Sequence, residues 1–368
     1  MKIDSDFPGG NVVIEQIDGL SATLRPDLRD TVGEWFYWSI RVREAAGETV
    51  NFTFSRPNVI AARGPAASWD GGATWHWLGA GCLTENGFTS QIPSGTEDAR
   101  FAMTIPYLQP HWERFLREIG GAAAVETGVL CKSPAGREVE ILRLGCLGGE
   151  VKSRVLLTGR HHACETMASY TLEGVITEIL AQPAWRAETE YLIVPFVDKD
   201  GVEAGDQGKN RRDRDHNRDF DGLSLYAETA ALRELLPRWA GDRARVALDF
   251  HCPWIKYGNN ETAYFVGNSD PAIWEQQQAL FGEVERLAQG PIPFLAADGL
   301  PFGQGWNVAA NYASGATFTQ FAATLPGLRC VATLEIPYAS AGGVEVNPET
   351  ARALGRDIAR GLAAYLGY

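Results

Sequence analysis

Two short segments of this 368-residue chain place imidazoles and a carboxylate where they could hold a metal. The first is Gly-Arg-His-His-Ala-Cys-Glu at 159–165, the second Leu-Asp-Phe-His at 248–251. His162, Glu165 and His251 would supply two nitrogens and an oxygen. That is the donor set of a catalytic zinc with one coordination position left open. His161 competes with His162 for the first place, and the three-residue interval to Glu165 favours His162. The plainer alternative is a pair of satisfied core histidines, since a lone His after a strand is usually structural. One more residue belongs to the same question. Glu335 lies in the apolar run Cys330 to Ile336, between Leu334 and Ile336, and a carboxylate there needs a partner or a task.

A charged loop follows the apolar run Tyr191 to Val197. It reads Asp198-Lys199-Asp200-Gly201-Val202, then Gly208-Lys209-Asn210-Arg211-Arg212-Asp213-Arg214-Asp215-His216-Asn217-Arg218-Asp219. Four arginines fall within eight residues of an acidic chain. A guanidinium fork can hold a carboxylate through two parallel hydrogen bonds, so the loop reads as an anion site. The competing reading is a solvated loop whose arginines are offset by Asp213, Asp215 and Asp219. Its place after a strand shifts the balance toward function.

The elements that must position these groups are legible as short apolar runs, Arg154 to Gly159, Tyr191 to Val197, Val246 to Phe250 and Cys330 to Ile336, each read as a buried strand. Helical patterns alternate with them, at about 166–180, 226–236 and 271–287, with a last one capped by Asn347-Pro348. Alternating strands and helices argue for an α/β layer fold, and open α/β sheets gather their sites at the carboxyl ends of neighbouring strands. Residues 1–107 differ. Runs such as Trp35-Phe36-Tyr37-Trp38-Ser39-Ile40-Arg41-Val42 and Val50-Asn51-Phe52-Thr53-Phe54, punctuated by Pro8-Gly9-Gly10 and Asp70-Gly71-Gly72, predict a β-sandwich. A helix beginning near Pro110 opens the second domain, 108–368.

Composition narrows the function classes. The net charge of −13 argues against nucleic acid and anionic membrane surfaces as partners, because both need a basic face. The six cysteines, at 82, 131, 146, 164, 252 and 330, form no C-x-x-C pair. They read as reduced thiols of a cytoplasmic protein. The start shows no secretory h-region, and no apolar stretch is long enough to span a membrane.

Taken in order, His162-Ala163-Cys164-Glu165, Asp215-His216-Asn217-Arg218, His251 and Thr333-Leu334-Glu335 resemble the motifs of the zinc metallocarboxypeptidase family. Asp6-Phe7-Pro8-Gly9-Gly10-Asn11, Trp35-Phe36-Tyr37-Trp38 and Ser68-Trp69-Asp70-Gly71-Gly72 extend the resemblance to its cytosolic-carboxypeptidase-like branch. The resemblance implies an N-terminal antiparallel β-sandwich followed by a three-layer α/β/α catalytic domain with a mixed sheet. It implies one zinc ion held by His162, Glu165 and His251, with Glu335 as general base. Asn217 and Arg218 would hold the terminal carboxylate of a peptide or protein substrate. Asp215 would fix the tautomer of His162. Arg211, with Arg212 as its competitor, would polarise the scissile carbonyl, and Tyr312 would close over the substrate.

Three features depart from the pattern. The interval between Arg211 and Asn217 is short, Ala163-Cys164 stands where Pro-Gly is frequent, and the closing tyrosine is not unambiguous. Two other functions fit part of the same motif set: a zinc deacylase of the aspartoacylase or desuccinylase type, and a binding protein on an inactive peptidase scaffold. The stretch before Glu335 is mostly neutral, which predicts a pocket for a neutral C-terminal residue. Lys256, Arg286, Arg329, Arg212 and Arg214 are the cations that would alter that reading.

Overall fold

The structure is a computed structural model and describes residues 1–121 and 124–368. Its N-terminal part is a two-sheet sandwich. One sheet has the spatial order Lys2–Asp4, Ser39–Arg43, Ala99–Ala102, Ala66–Ser68, His76–Trp77. The other runs Val13–Asp18, Ser21–Arg25, Thr49–Phe54, Gly87–Gln91, Leu83–Thr84. Strand alternation turns Val50, Phe52 and Phe54 inward, where they meet Trp38, Phe88 and Phe101. All pairings are antiparallel except that of Ser21–Arg25 with Thr49–Phe54, which is parallel. The run expected to be extended from Trp35 becomes a strand only at Ser39. The N–H groups of Phe36 and Tyr37 instead donate to Oε1 of Gln207, at 3.3 and 3.0 Å. A side chain from the second domain thus replaces a strand partner.

The second domain is built on a mixed seven-stranded sheet. Its order is Val125–Lys132, Glu138–Gly145, Thr189–Val194, Ser153–Gly159, Ala244–His251, Cys330–Glu335, Tyr264–Val266. The four strands from Thr189–Val194 to Cys330–Glu335 are parallel, and the outer ones antiparallel. Helices Thr166–Ala181, Pro271–Leu287 and Pro348–Leu366 cover one face, packing Val175, Ile176, Phe281, Leu354 and Ile358 against Val155, Leu157, Val246 and Leu248. Helices Ala227–Ala240 and Phe318–Ala322 cover the other, through Leu232, Leu236, Phe318 and Ala322 on Leu156, Leu192, Ala247 and Val331. The first of these outruns the predicted end at Leu236, because Ala240 lies buried on the same face.

Register builds the site. Side chains alternate along a strand, so Asp249 and His251 continue the face that Ala247 begins. Asp249 lies opposite Thr158 on one neighbouring strand, and His251 lies opposite Glu335 on the other. Two of the residues singled out above, His251 and Glu335, therefore meet at the carboxyl end of the central strands.

Candidate active site

His162 follows the strand Ser153–Gly159, Glu165 precedes the helix Thr166–Ala181, and His251 ends its strand. His162 Nδ1 lies 2.9 Å from Glu165 Oε1, and His251 Nδ1 lies 2.8 Å from Glu165 Oε2. The two Nδ1 atoms are 3.1 Å apart. The far nitrogen of each ring faces a carboxylate: His162 Nε2 is 3.2 Å from Asp215 Oδ1, and His251 Nε2 is 2.6 Å from Asp249 Oδ2. When each Nε2–H donates outward, both Nδ1 atoms present lone pairs to the Glu165 carboxylate, whose Oε2 has no hydrogen-bond partner. Three acceptors crowded together in a buried site are unfavourable unless a cation lies between them. Burial lowers the imidazole pKa values, yet the surrounding carboxylates (Asp215 and Glu165 for His162, Asp249 and Glu165 for His251) raise both above the usual range. The same field favours a metal, and this donor set fits zinc.

A second cluster, His161, Asp249 and His251, shares one ligand with the first. Its chemistry differs. Asp249 Oδ1 already accepts from Thr158 Oγ1 and faces His161 Nδ1, both at 2.8 Å, while Oδ2 faces His251. Asp249 is an orienting carboxylate with its acceptor positions in use. His161 is wholly buried against Phe220 and Phe318, and its Nε2 has no hydrogen-bond partner.

Glu335 is 6% exposed, with Oε2 unpartnered. Burial raises its pKa to about 7, against the opposing pull of Lys209 and His251. Beside it opens a cavity lined among others by His162, His251, Glu335, Arg218, Tyr312 and Thr333. Arg218 donates to the carbonyl oxygens of Asn217 and Asn311, at 2.7 and 3.0 Å, and lies 5.3 Å over the Tyr312 ring. Tyr312 donates its hydroxyl to Asn307 Oδ1 at 2.6 Å. Asn217 also lines the cavity, but its Oδ1 accepts the Phe318 N–H at 2.8 Å and its Nδ2 leans on Asp249 Oδ2 at 3.5 Å. Its amide is largely spent on holding neighbours in place.

The arginines of the loop part company. Arg211 does not reach the cavity. It donates to Asp198 Oδ2 and, at 3.0 Å, to Asp206 Oδ2, and these carboxylates raise its pKa despite burial. Arg212 donates to Leu28 O at 3.0 Å, and Arg214 to Asp219 Oδ1 at 2.7 Å. Neither Arg211 nor Arg212 is placed to polarise a carbonyl here, because nearby acceptors claim both. The cation that does reach the cluster of His162, Glu165 and His251 is Lys209. Its Nζ lies 2.8 Å from Glu165 Oε1 and donates to Cys252 O at 2.7 Å. Gly208 admits this approach: it has φ +79°, and a Cβ there would fall 2.2 Å from Ala163 N.

The sandwich domain supports this loop. Asp30 accepts from the backbone N–H groups of Gln207 and Gly208, at 3.3 and 2.8 Å. Thr31 Oγ1 donates to Lys209 O, and Asn11 Nδ2 donates to Gly205 O at 2.8 Å. Asp249, Lys209 and Asp30 were not among the residues the sequence singled out for roles. Asp249 left one signal, its place two residues before His251 on a strand, which puts both on one face.

A model of the zinc carboxypeptidase family matches residues 113–242. Over that stretch, about a third of the chain, the sequence is similar to a zinc carboxypeptidase domain. It is 26% identical over 296 residues to cytosolic carboxypeptidase 2 of Danio rerio, an alignment that covers 68% of this chain and 41% of that protein. The chain thus spans less than half the length of this curated relative. Two solved structures share the fold over nearly both chains. The metallo-carboxypeptidase from Burkholderia cenocepacia aligns with TM-score 0.80 at 20% identity, covering 99% of this chain and 98% of that one. The metallo-carboxypeptidase from Pseudomonas aeruginosa aligns at 0.73 and 19%, covering 100% and 99%. At these identities the likeness is one of fold, and it includes the sandwich domain.

Proposed function

We propose that this protein is a zinc-dependent carboxypeptidase that removes the C-terminal residue of a peptide or protein. The observation that carries the reading is the convergence of His162 Nδ1, His251 Nδ1 and the Glu165 carboxylate beside a cavity that Glu335 and Arg218 also line. Zinc, when bound, supplies a Lewis acid that draws electrons from the scissile carbonyl and acidifies water. The residues do the rest. Arg218, at the far side of the cavity, pairs with the substrate's terminal carboxylate, and Asn217 keeps His251 and the Phe318 backbone in position beside it. Tyr312 packs on Arg218 and covers the bound residue. Glu335 takes a proton from water as the water oxygen bonds to the carbonyl carbon, and returns it to the amine as the C–N bond breaks. A pKa near 7 suits both transfers. Asp215 and Asp249 hold the two imidazoles with Nδ1 turned inward.

Specificity follows from charge. Among the described residues lining the cavity, Arg218 is the only Lys or Arg. Lys256 lies over Tyr257 at 4.8 Å, and Arg286 pairs with Glu283. Apart from Arg218, Glu335 and the two imidazoles, the lining is uncharged, with Gln277, Thr317, Thr319 and Thr333. A free cation for a substrate glutamate is absent among these residues, so the enzyme takes a neutral C-terminal residue. An inactive scaffold would be expected to have lost a ligand or the base, and here both are in register. The cytosolic naming of the relative and the unpaired cysteines support a cytoplasmic location. No helix among the described residues is long and apolar enough to cross a membrane.

The test compares N-blocked dipeptides ending in Leu, Gln, Lys and Glu, each with a free and an amidated C-terminus. Cleavage of the free neutral substrates only is the expected result. Equal rates on amidated substrates would remove the carboxypeptidase reading, and a preference for Glu would remove the neutral pocket.

A further inference from the structure

We infer that Lys209 is the cation that stabilises the negative charge developing on the scissile carbonyl oxygen. The inference rests on the carboxypeptidase reading and assigns a role that the loop's arginines cannot fill. Arg211 is bound by Asp198 and Asp206, Arg212 by the Leu28 carbonyl, and Arg214 by Asp219. Arg218 is at the carboxylate end of the cavity. Lys209 alone among the loop's cations sits beside the metal ligands, 2.8 Å from Glu165 Oε1.

Distance makes the role possible. A zinc ion lies about 2.0–2.2 Å from a carboxylate ligand. Adding the 2.8 Å contact puts Nζ within about 5 Å of a metal held through Glu165 Oε1. A carbonyl oxygen drawn toward that metal comes within hydrogen-bonding reach of an ammonium group on a four-carbon stem. The side chain is 13% exposed, so it is sheltered from bulk water, where a fixed charge stabilises a developing oxyanion most strongly.

The backbone around Lys209 is unusually constrained, as a catalytic position requires. Gly208 packs against the His162–Ala163 peptide, where any Cβ would clash. Asp30 and Thr31, from the sandwich domain, hold the backbone of 207–209 from the other side. Cys252 O fixes the ammonium group from the residue after His251. The side chain is thereby held against Glu165 and the Cys252 carbonyl. Lysine offers rotatable donors on a compact charge, in place of a planar fork. Its cost to Glu165 is small when the substrate arrives, because the metal shares that carboxylate's charge.

The experiment uses full-length zinc-loaded protein and three forms: wild type, K209M and K209R. Two probes are bound: free leucine, and the phosphinic analogue of an N-blocked Gly-Leu dipeptide, with PO₂–CH₂ in place of CO–NH. Zinc content and thermal midpoint are measured on each form. If Lys209 contacts the oxyanion, K209M keeps its zinc and binds leucine within about threefold of wild type. It loses the phosphinic probe, and kcat, by about 100-fold or more, and K209R regains part of both. If Lys209 only balances the charge of Glu165, K209M loses zinc or weakens both probes equally, and that result overturns the assignment. Wild type that binds zinc but neither probe overturns the carboxypeptidase reading itself, and the assignment with it.

Discussion

The metal cradle and the 205–218 loop lie against each other, but they are positioned by different physics. The cradle is a product of the sheet. Parallel register sets Thr158 beside Asp249 and His251 beside Glu335, and the helix Thr166–Ala181 starts where Glu165 must be. The loop has no such ladder. It is shaped by side chains from two domains: Asp30, Thr31 and Asn11 on one side, Asp198 and Asp206 on the other. Local spacing therefore places the cradle, whereas the direction of each loop cation is decided by whichever acceptor lies nearest in space.

The sharpest break is in the cradle. Glu335→Gln should retain zinc and lose hydrolysis by about two to four orders of magnitude; metal content by mass spectrometry and steady-state rates check both halves. His251→Ala should lose metal and activity together, and full zinc occupancy in that variant would remove His251 from the ligand set.

Changes in the loop should register first as stability. Arg211→Ala leaves Asp198, which is 2% exposed, without its guanidinium partner, while Asp206 keeps Arg29. Breaking a buried pair from one side costs about 3–5 kcal/mol, readable by urea unfolding. Arg212→Ala removes only partly exposed bonds to backbone and should fall within about 0.5 kcal/mol of wild type. An Arg211→Ala protein with native stability but no turnover would restore Arg211 to the chemistry. Asp30→Ala joins the two regions. It frees the backbone N–H groups of Gln207 and Gly208, should cost about 1–3 kcal/mol, and should lower kcat while zinc content stays at wild-type level. Unchanged kcat would show that the sandwich domain does not position the loop.

What the sequence revealed follows the same division. The strands, the helix starts and the grouping of His162, Glu165 and His251 are readable because periodicity and residue type are local properties. The sandwich is readable from runs such as Val50 to Phe54, and its parallel pair is not, since pairing direction leaves no mark on a single strand. Arg211 drew the reading because guanidinium suits anions. Nothing local reveals that Asp198, thirteen residues earlier, already holds it. Lys209 was hidden by the reverse effect. One lysine among four arginines gives no signal until Gly208 is seen pressed against Ala163.

A smaller effect is expected with pH. Burial lowers His111 and His216 to about 4 from an ordinary 6.5. His111 Nδ1 accepts the Leu108 N–H at 3.1 Å, which requires the neutral ring. Both groups have a folded pKa below the unfolded one, so the unfolded chain binds more protons between the two values. Their contribution to stability is complete above about pH 6.5 and is lost as pH falls toward 4. Unfolding at pH 7 and pH 5 should show the loss. His111→Asn, whose amide oxygen can accept the same bond without titrating, should flatten it. An unchanged slope would free His111 of the effect.

The central claim is the identity of the cradle, and anomalous diffraction at the zinc edge from crystals of the zinc-loaded protein tests it most directly. The account predicts a single peak about 2.0–2.2 Å from His162 Nδ1, His251 Nδ1 and the Glu165 carboxylate. A peak between His161, Asp249 and His251 Nε2, or no peak at either cluster, would contradict it.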